Sequence, residues 1–271
     1  RRVSRMSEFE FDGTVAVVTG GASGIGRALA GRLAAEGCRV AVVDLVAESA
    51  QRAAAELASG GEGPHIGLAA DVGDRSAVRG MVEEVESRLG PIDIYCSNAG
   101  IATGPGLGED DAWEAAWRVH GMAHVHGART VLPGMTDRGR GVFVVTASAA
   151  GLLMMMQSAA YTATKHASVA IAEWLAVNFG GAGVQFHCLC PQGVLTPMVT
   201  GGDSRGTEEL KASGNLLEPE VVADAVLEAI REGRFLVLPH PEVHGYEQAK
   251  VADRDRWLAG MRRLLQRVTT A

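Results

Sequence analysis

The chain has 271 residues, 47% of them hydrophobic and 21% charged, with 35 glycines and 5% aromatic residues. These proportions exclude collagen, a long coiled coil and extensive disorder as the main architecture. The formal charge of −7 argues against a nucleic-acid partner, and the longest apolar run, Ala149 to Met156, falls far short of the ~18 residues of a membrane span.

Residues 1–11 read as an N-terminal extension. Arg1, Arg2 and Arg5 have no apolar segment behind them, so they do not make a secretory signal, and Met6 is a candidate natural start. With neither signal nor span, the expected location is the cytoplasm, with no membrane partner. Short β-branched runs then alternate with longer stretches of helical periodicity. Strands are predicted over Thr14–Thr19, Arg39–Val43, His65–Ala69, Ile92–Cys96, Gly141–Thr146, Val184–Cys190 and Phe235–Leu238. Helices are predicted over Ile25–Glu36, Ala47–Ala58 and Ser76–Leu89, among others. Near-continuous apolar strands alternating with helices predict an α/β fold: a Rossmann-type, doubly wound parallel sheet of about seven strands, forming a single domain over residues 12–239.

The first strand runs into Thr19-Gly20-Gly21-Ala22-Ser23-Gly24-Ile25-Gly26, where a helix opens. Glycines there tighten the turn and let backbone amides approach a pyrophosphate, which a helix N-terminus favours electrostatically. Asp44 ends the second strand, where a carboxylate suits the ribose hydroxyls of NAD and repels the 2′-phosphate of NADP. No Arg or Lys stands at 21, 23 or 45 to receive that phosphate. Gly20, Ser23, Gly24, Ile25, Gly26 and Asp44 are therefore candidate cofactor residues, and NAD is favoured over NADP.

Ser148 follows the fifth strand, and Tyr161 and Lys165 lie four apart on one helical face. A neighbouring cation is expected to lower the phenol pKa and make Tyr161 a usable general acid/base. The four cysteines, Cys38, Cys96, Cys188 and Cys190, read as reduced, buried thiols. Cys188 and Cys190 are expected on opposite faces of a strand, which argues against a shared metal. Residues 197–217 are polar and Gly-rich and read as a substrate lid loop. Residues 240–271 read as a helical tail. Its stripe of Trp257, Leu258, Met261, Leu264, Leu265 and Val268 is expected to pack on the domain or on a neighbouring subunit.

In this order the motifs resemble the single-domain branch of the short-chain dehydrogenase/reductase family over residues 12–239. The resemblance rests on the Thr-Gly-x3-Gly-x-Gly turn at 19–26, Asp71-Val72, Asn98-Ala99-Gly100, Ser148, Tyr161, Lys165 and Pro191-Gln192-Gly193-Val194-Leu195-Thr196. It implies NAD-dependent interconversion of an alcohol and a ketone. Tyr161 would act as acid/base, Ser148 would hold the substrate oxygen, and Lys165 would tune Tyr161 and bind the nicotinamide ribose. It implies further cofactor contacts from Asp71 and Val72 at adenine, from Asn98, Ala99 and Gly100, and from Pro191, Gly193, Val194 and Thr196 near the nicotinamide. It also implies a homotetramer or homodimer built on helices near 111–135 and 158–180.

One position departs from the family. Counting back thirteen residues from Pro133 gives His120 where the family carries an Asn. His120 is expected to substitute in a proton relay, because imidazole both donates and accepts and titrates near neutrality. Its i, i+4 spacing to His124 is compatible with a metal, but no acidic or Cys partner stands in the run, so no metal site is assigned. After Ser148 comes an apolar, Met-rich run without a cation to clamp a carboxylate or phosphate; the resemblance implies that it lines the substrate side, and core filler or subunit interface is the alternative reading of its methionines. Leu153, Met154 and Met155, with Met198, are candidate substrate residues for a small lipophilic alcohol or ketone of the terpenoid, steroid-like or aryl-carbinol kind. Two other readings stand: a non-catalytic nucleotide-sensing or scaffold protein of this fold, and a dehydratase or epimerase with retained NAD.

Overall fold

The computed structural model describes residues 9–58, 64–201 and 216–270. Seven strands form one parallel sheet in the order β3-β2-β1-β4-β5-β6-β7. They are β1 (Val15–Thr19), β2 (Arg39–Asp44), β3 (Ile66–Ala69), β4 (Ile94–Ser97), β5 (Gly141–Thr146), β6 (Val184–Leu189) and β7 (Leu236–Val237). Each predicted strand is present, β5 with the predicted ends and the others with ends moved by no more than two residues. The order reverses between β1 and β4, which opens a crevice beyond the C-terminal strand ends where such sheets bind ligands.

Side chains alternate between the two faces of the sheet. Val15 and Val17 of β1 point into one apolar core, Ala16 and Val18 into the other. The first core is covered by α3 (Arg75–Leu89), α5 (Ala123–Asp137) and α6 (Ala159–Phe179), through residues such as Val82, Leu132 and Leu175. The second is covered by α1 (Gly24–Ala35), α2 (Ala47–Ala58) and α8 (Pro219–Glu232), through residues such as Leu33, Ala53 and Ile230. Cys188 and Cys190 correct the expectation stated for them. Residues two apart share a strand face, and both thiols lie in the first core with their sulfurs 3.8 Å apart.

Between β4 and β5 the chain forms α4 (Asp110–Trp117), a π-helical turn (Arg118–Met122) and α5. The Ala123 amide donates to the Arg118 carbonyl, five residues back. Of the expected lid, residues 202–215 lie outside the described residues. Its start is the short helix α7 (Pro197–Thr200), and Leu217 pairs with Val194. Two helices follow the sheet, α9 (Glu242–Ala252) and α10 (Arg254–Thr270). Among the described residues no helix is long and apolar enough to cross a membrane.

Candidate active site

The glycine turn is built by close approach. Gly20 and Gly24 have φ of +62° and +49°. A Cβ at Gly26 would stand 2.1 Å from the Gly20 carbonyl oxygen and 2.6 Å from the Asn98 side-chain nitrogen. Ser23, at the start of α1, makes no side-chain cap, and the first turn carries no acidic residue. The opening amides of that helix are thus left to an anion. At the end of β2, Asp44 accepts hydrogen bonds from the Ala22 amide (3.1 Å) and the Leu45 amide (2.8 Å). The two bonds orient its carboxylate at the rim of the turn. A cradle that excludes Cβ atoms, a bare helix N-terminus and an oriented carboxylate fit the pyrophosphate and ribose of a dinucleotide.

Asn98 serves as a clip. Its amide nitrogen donates to the Thr19 carbonyl (3.0 Å), and its side-chain oxygen accepts from the Thr146 hydroxyl (3.0 Å). The Thr19 hydroxyl accepts from the Asn98 and Ala99 amides at 2.9 and 3.2 Å. The ends of β1, β4 and β5 are locked together at the crevice by these bonds. Asp71, expected at adenine, accepts from the Gly73 amide (2.8 Å) and pairs with Arg118 (2.7 Å).

The candidate catalytic groups stand beyond β5. The Ser148 hydroxyl accepts from the Ala150 amide at 3.1 Å and so caps the short turn Ala149–Gly151. On α6, the Ser158 hydroxyl caps the helix at the Tyr161 amide, which sets where the phenol projects. One turn on, the Lys165 ammonium donates to the Thr146 carbonyl at 3.0 Å and lies 5.7 Å from the centre of the Tyr161 ring. Burial pulls Lys165 down from 10.5 to about 8, opposed by Cys190 and Cys188. The depression expected from Lys165 is not seen for Tyr161: burial raises the phenol, and only the Ser148 hydroxyl opposes it.

The Lys165 shift has a consequence for stability. The native state disfavours the charged lysine, so the penalty is fully present below pH 8. It is relieved as pH rises from about 8 to 10.5, where the native state releases its proton before the unfolded state does. The penalty is about 3 kcal/mol, less about 1 kcal/mol for the donor Thr146 would lose. Lys165→Met is expected to raise the thermal midpoint at pH 7 by a few degrees. Thermal melts should show that advantage shrinking above pH 8, and an unchanged midpoint at pH 7 would contradict it.

His120 sits in the π-helical turn, fully buried. Its Nε2 accepts from the Ile101 amide (3.1 Å), which leaves the proton on Nδ1, 3.0 Å from the Thr164 hydroxyl. The Thr164 hydroxyl donates onward to the Ala160 carbonyl (2.7 Å). Burial, with Lys165 and His124 adding repulsion, pushes His120 down to about 2. The expectation that it titrates near neutrality is overturned. The ring meets Tyr161 edge-on, with centres 5.4 Å apart. His124, one turn on, lies 2.7 Å from the Ser97 hydroxyl, and burial pushes it down to about 3.

These groups line one cavity of about 480 Å³. It gathers Gly20, Ser23, Gly24, Ile25, Gly26 and Asp44 with Asp71, Val72 and Asn98 to Gly100. Its lining also includes Ser148, Tyr161, Lys165 and His120, with Pro191, Val194, Met198 and Thr196, whose methyl would stand 2.9 Å from a Cβ at Gly24. Gly193, Leu153, Met154 and Met155 are not among the residues that line it. The Gly193 carbonyl instead accepts from the Leu217 amide at 3.1 Å. Leu45, Val46, Ile101 and Val119 also line the cavity and were not anticipated. The available signal was that Leu45 and Val46 are apolar residues directly after the strand-ending acid.

Comparison with known proteins agrees with this arrangement. The short chain dehydrogenase family pattern matches residues 14–205. A 1-deoxy-11-beta-hydroxypentalenate dehydrogenase from Streptomyces avermitilis is 36% identical over 235 residues, 84% of this chain and 85% of that protein. D-threitol dehydrogenase from Mycolicibacterium smegmatis is 34% identical over 227 residues, 81% of this chain and 86% of that one. A solved short chain dehydrogenase/reductase from Burkholderia phymatum, in complex with NAD, superposes with a TM-score of 0.84 at 30% identity. That match covers 91% of this chain and 96% of the other. A parallel sheet in the order 3-2-1-4-5-6-7, a Gly-cradled crevice and a Ser-Tyr-Lys wall, together with these similarities, make the chain a member of the short-chain dehydrogenase/reductase family.

Proposed function

We propose that the chain is an NAD-dependent dehydrogenase interconverting a lipophilic secondary alcohol and its ketone. The observation that carries this reading is the convergence of Ser148, Tyr161 and Lys165 on the cavity that Asp44 and the glycine turn also line. A bound nicotinamide cofactor would supply the hydride chemistry, as acceptor in alcohol oxidation and as donor in ketone reduction. The opening amides of α1 would hold the pyrophosphate and Asp44 the ribose hydroxyls. Ser148 holds the substrate oxygen by a hydrogen bond. In oxidation the Tyr161 phenolate takes the hydroxyl proton; in reduction the phenol gives it back. The Lys165 cation favours the phenolate once formed. His120, both of whose nitrogens are engaged, holds the Ile101 amide and the Tyr161 ring in place.

The choice of NAD rests on Asp44 and on the absence of a cation at 21, 23 and 45. It is supported by the NAD in the Burkholderia structure. An alcohol substrate is supported by the two dehydrogenases above and by a meso-2,3-butanediol dehydrogenase from Serratia marcescens at 34% identity. The test is absorbance at 340 nm with a panel of lipophilic secondary alcohols, using NAD and NADP in parallel. Turnover with NAD at least about tenfold above NADP is expected, since one carboxylate facing a phosphate costs on the order of 1–2 kcal/mol. Tight NADH binding without turnover on any alcohol or ketone would favour the nucleotide-sensing reading.

The proposed assembly is a homodimer or homotetramer. Between α5 and α6 runs a groove of about 710 Å³ lined by Leu132, Trp174 and Phe179 among others. Trp174 is 60% exposed and Val177, on the same helix, 84%. An apolar face of this kind suits a second copy of the chain. Light scattering is expected to give a multiple of 28.3 kDa; a monomer at working concentration would refute it.

A further inference from the structure

The loop that follows β6 runs along the cavity, and Pro191, Gln192, Val194 and Thr196 all line it. Where the loop begins, the Pro191 carbonyl accepts from the Ala149 amide at 2.8 Å and lies 3.5 Å from the Ser148 hydroxyl. Where it finishes, the Thr196 methyl would stand 2.9 Å from a Cβ at Gly24. The loop thus joins Ser148 to the glycine turn. Between these points the Leu217 carbonyl accepts from the Leu195 amide (2.9 Å), and the Leu217 amide donates to the Gly193 carbonyl (3.1 Å).

The Gln192 amide is held by a side chain from a distant part of the sequence. It donates to His240 Nδ1 at 3.2 Å. His240 is 2% exposed and lies between β7 and α9, and its carbonyl accepts from the Val243 amide at 3.1 Å. The register of the sheet brings the pair together. Leu189 of β6 is opposite Val237 of β7, and Gln192 and His240 each stand three residues further on. The Val237 carbonyl accepts from the Cys190 amide (2.9 Å), and the imidazole continues this coupling past the end of the short strand β7. A ring nitrogen that accepts from an amide carries no proton, so the proton of this imidazole is on Nε2.

We propose that His240 is a positioning residue for nicotinamide binding: its imidazole anchors the Gln192 amide and so fixes the loop where it meets Ser148. This rests on the dehydrogenase reading above, in which the hydride carrier must reach a carbon whose oxygen is held by Ser148 and Tyr161. The start of the loop, touching Ser148 and lining the same cavity, is then a wall against which the nicotinamide rests. Without the imidazole the Gln192 amide loses its acceptor, and the backbone there shifts toward another. Leu217 still holds Gly193 and Leu195, which keeps Thr196 at Gly24. The glycine turn and Asp44 are therefore spared, and the loss falls on the nicotinamide alone.

His240→Leu and His240→Phe remove the acceptor on an aliphatic and on an aromatic side chain. His240→Asn restores one, because Asn Oδ1 is as many bonds from Cα as His Nδ1. Affinities of the full chain for NADH and for ADP-ribose, which is the dinucleotide without its nicotinamide, are read by calorimetry. In the Leu and Phe variants NADH is expected to bind about tenfold more weakly, with ADP-ribose within about twofold of the unsubstituted chain. His240→Asn should return most of the NADH affinity. Should neither apolar variant fold, His240→Gln, which moves the acceptor one bond further out, is expected to show the same selective loss. In the unsubstituted chain, 15N spectra of the imidazole should place the proton on Nε2. Equal losses for NADH and ADP-ribose would make His240 a general support of the fold and overturn the proposal. Unchanged NADH affinity, an Asn variant as weak as the apolar ones, or a proton on Nδ1 would overturn it as well. An unsubstituted chain that binds neither NADH nor ADP-ribose defeats the cofactor reading itself and the proposal with it, a result distinct from all of these.

Discussion

Tyr161→Phe is expected to lower kcat/KM by about a thousandfold, the central value for losing a positioned acid/base, with NADH affinity unchanged within about twofold. The substitution removes one oxygen from a ring whose position is set elsewhere. The backbone is fixed by the Ser158 cap, and the ring is fixed edge-on to His120. Lys165 keeps its bond to the Thr146 carbonyl, which does not involve the phenol. The glycine cradle and Asp44 belong to other elements of the same cavity and keep their grip on the nucleotide. Loss of turnover with retained NADH fluorescence would place the proton transfer on Tyr161. Residual activity above about a tenth would mean that another group carries the proton.

Gly26→Ala is expected to remove nucleotide binding and to destabilise the fold together. The new methyl would stand 2.1 Å from the Gly20 carbonyl oxygen and 2.6 Å from the Asn98 side-chain nitrogen. Neither neighbour can yield. Gly20 is pressed against Ala99, whose Cα would lie 2.9 Å from a Cβ there, and Asn98 is held by Thr19 and Thr146. Overpacking against fixed atoms costs about 3 kcal/mol, which corresponds to roughly 6–12 °C in the thermal midpoint of a chain this size. Relief requires the turn to move off the helix, and that dismantles the phosphate cradle, so NADH affinity should fall by about a hundredfold or more. Gly80→Ala is the matched control. It lies within α3 with nothing within 4 Å of a Cβ, and alanine there should add about 0.5–1 kcal/mol. A Gly26→Ala protein that melts and binds NADH like wild type would refute the close-approach account of the turn.

The strands were legible because both faces of a parallel sheet are covered, so Val15 to Val18 and Val40 to Val43 appear as unbroken apolar runs. The glycine turn, Asp44, Ser148, Tyr161 and Lys165 were legible because each stands at a strand end or at a helical spacing that sequence displays directly. His120 was found by position, but its chemistry was not. Neutral imidazole with both nitrogens engaged follows from the Ile101 amide and the Thr164 hydroxyl, neither of which has a sequence signal pointing at residue 120. The Met-rich run after Ser148 reads as pocket or as packing on composition alone, and only the fold separates Met198, which lines the cavity, from Met154, which does not. Lys250 lies in a polar stretch where a lysine ordinarily faces solvent, and its burial is decided by carbonyls about a hundred residues upstream.

The π-helical turn at Arg118–Met122 fixes a phase relation. One residue more than an α-helix requires rotates everything after it by about 100° relative to an uninterrupted helix. Before the turn, Trp117 borders the outer groove, and Arg118 at its start reaches Asp71; after it, His124 reaches Ser97 while Leu132 still borders that same groove. The helix therefore behaves as a mechanical vernier between the nucleotide end of the crevice and the outer face of the molecule. Point substitutions along it change single contacts, whereas losing or gaining one residue would turn one end out of step with the other. Length between Trp117 and Ala123 is accordingly the quantity this fold must preserve, more than the identity of any residue inside it.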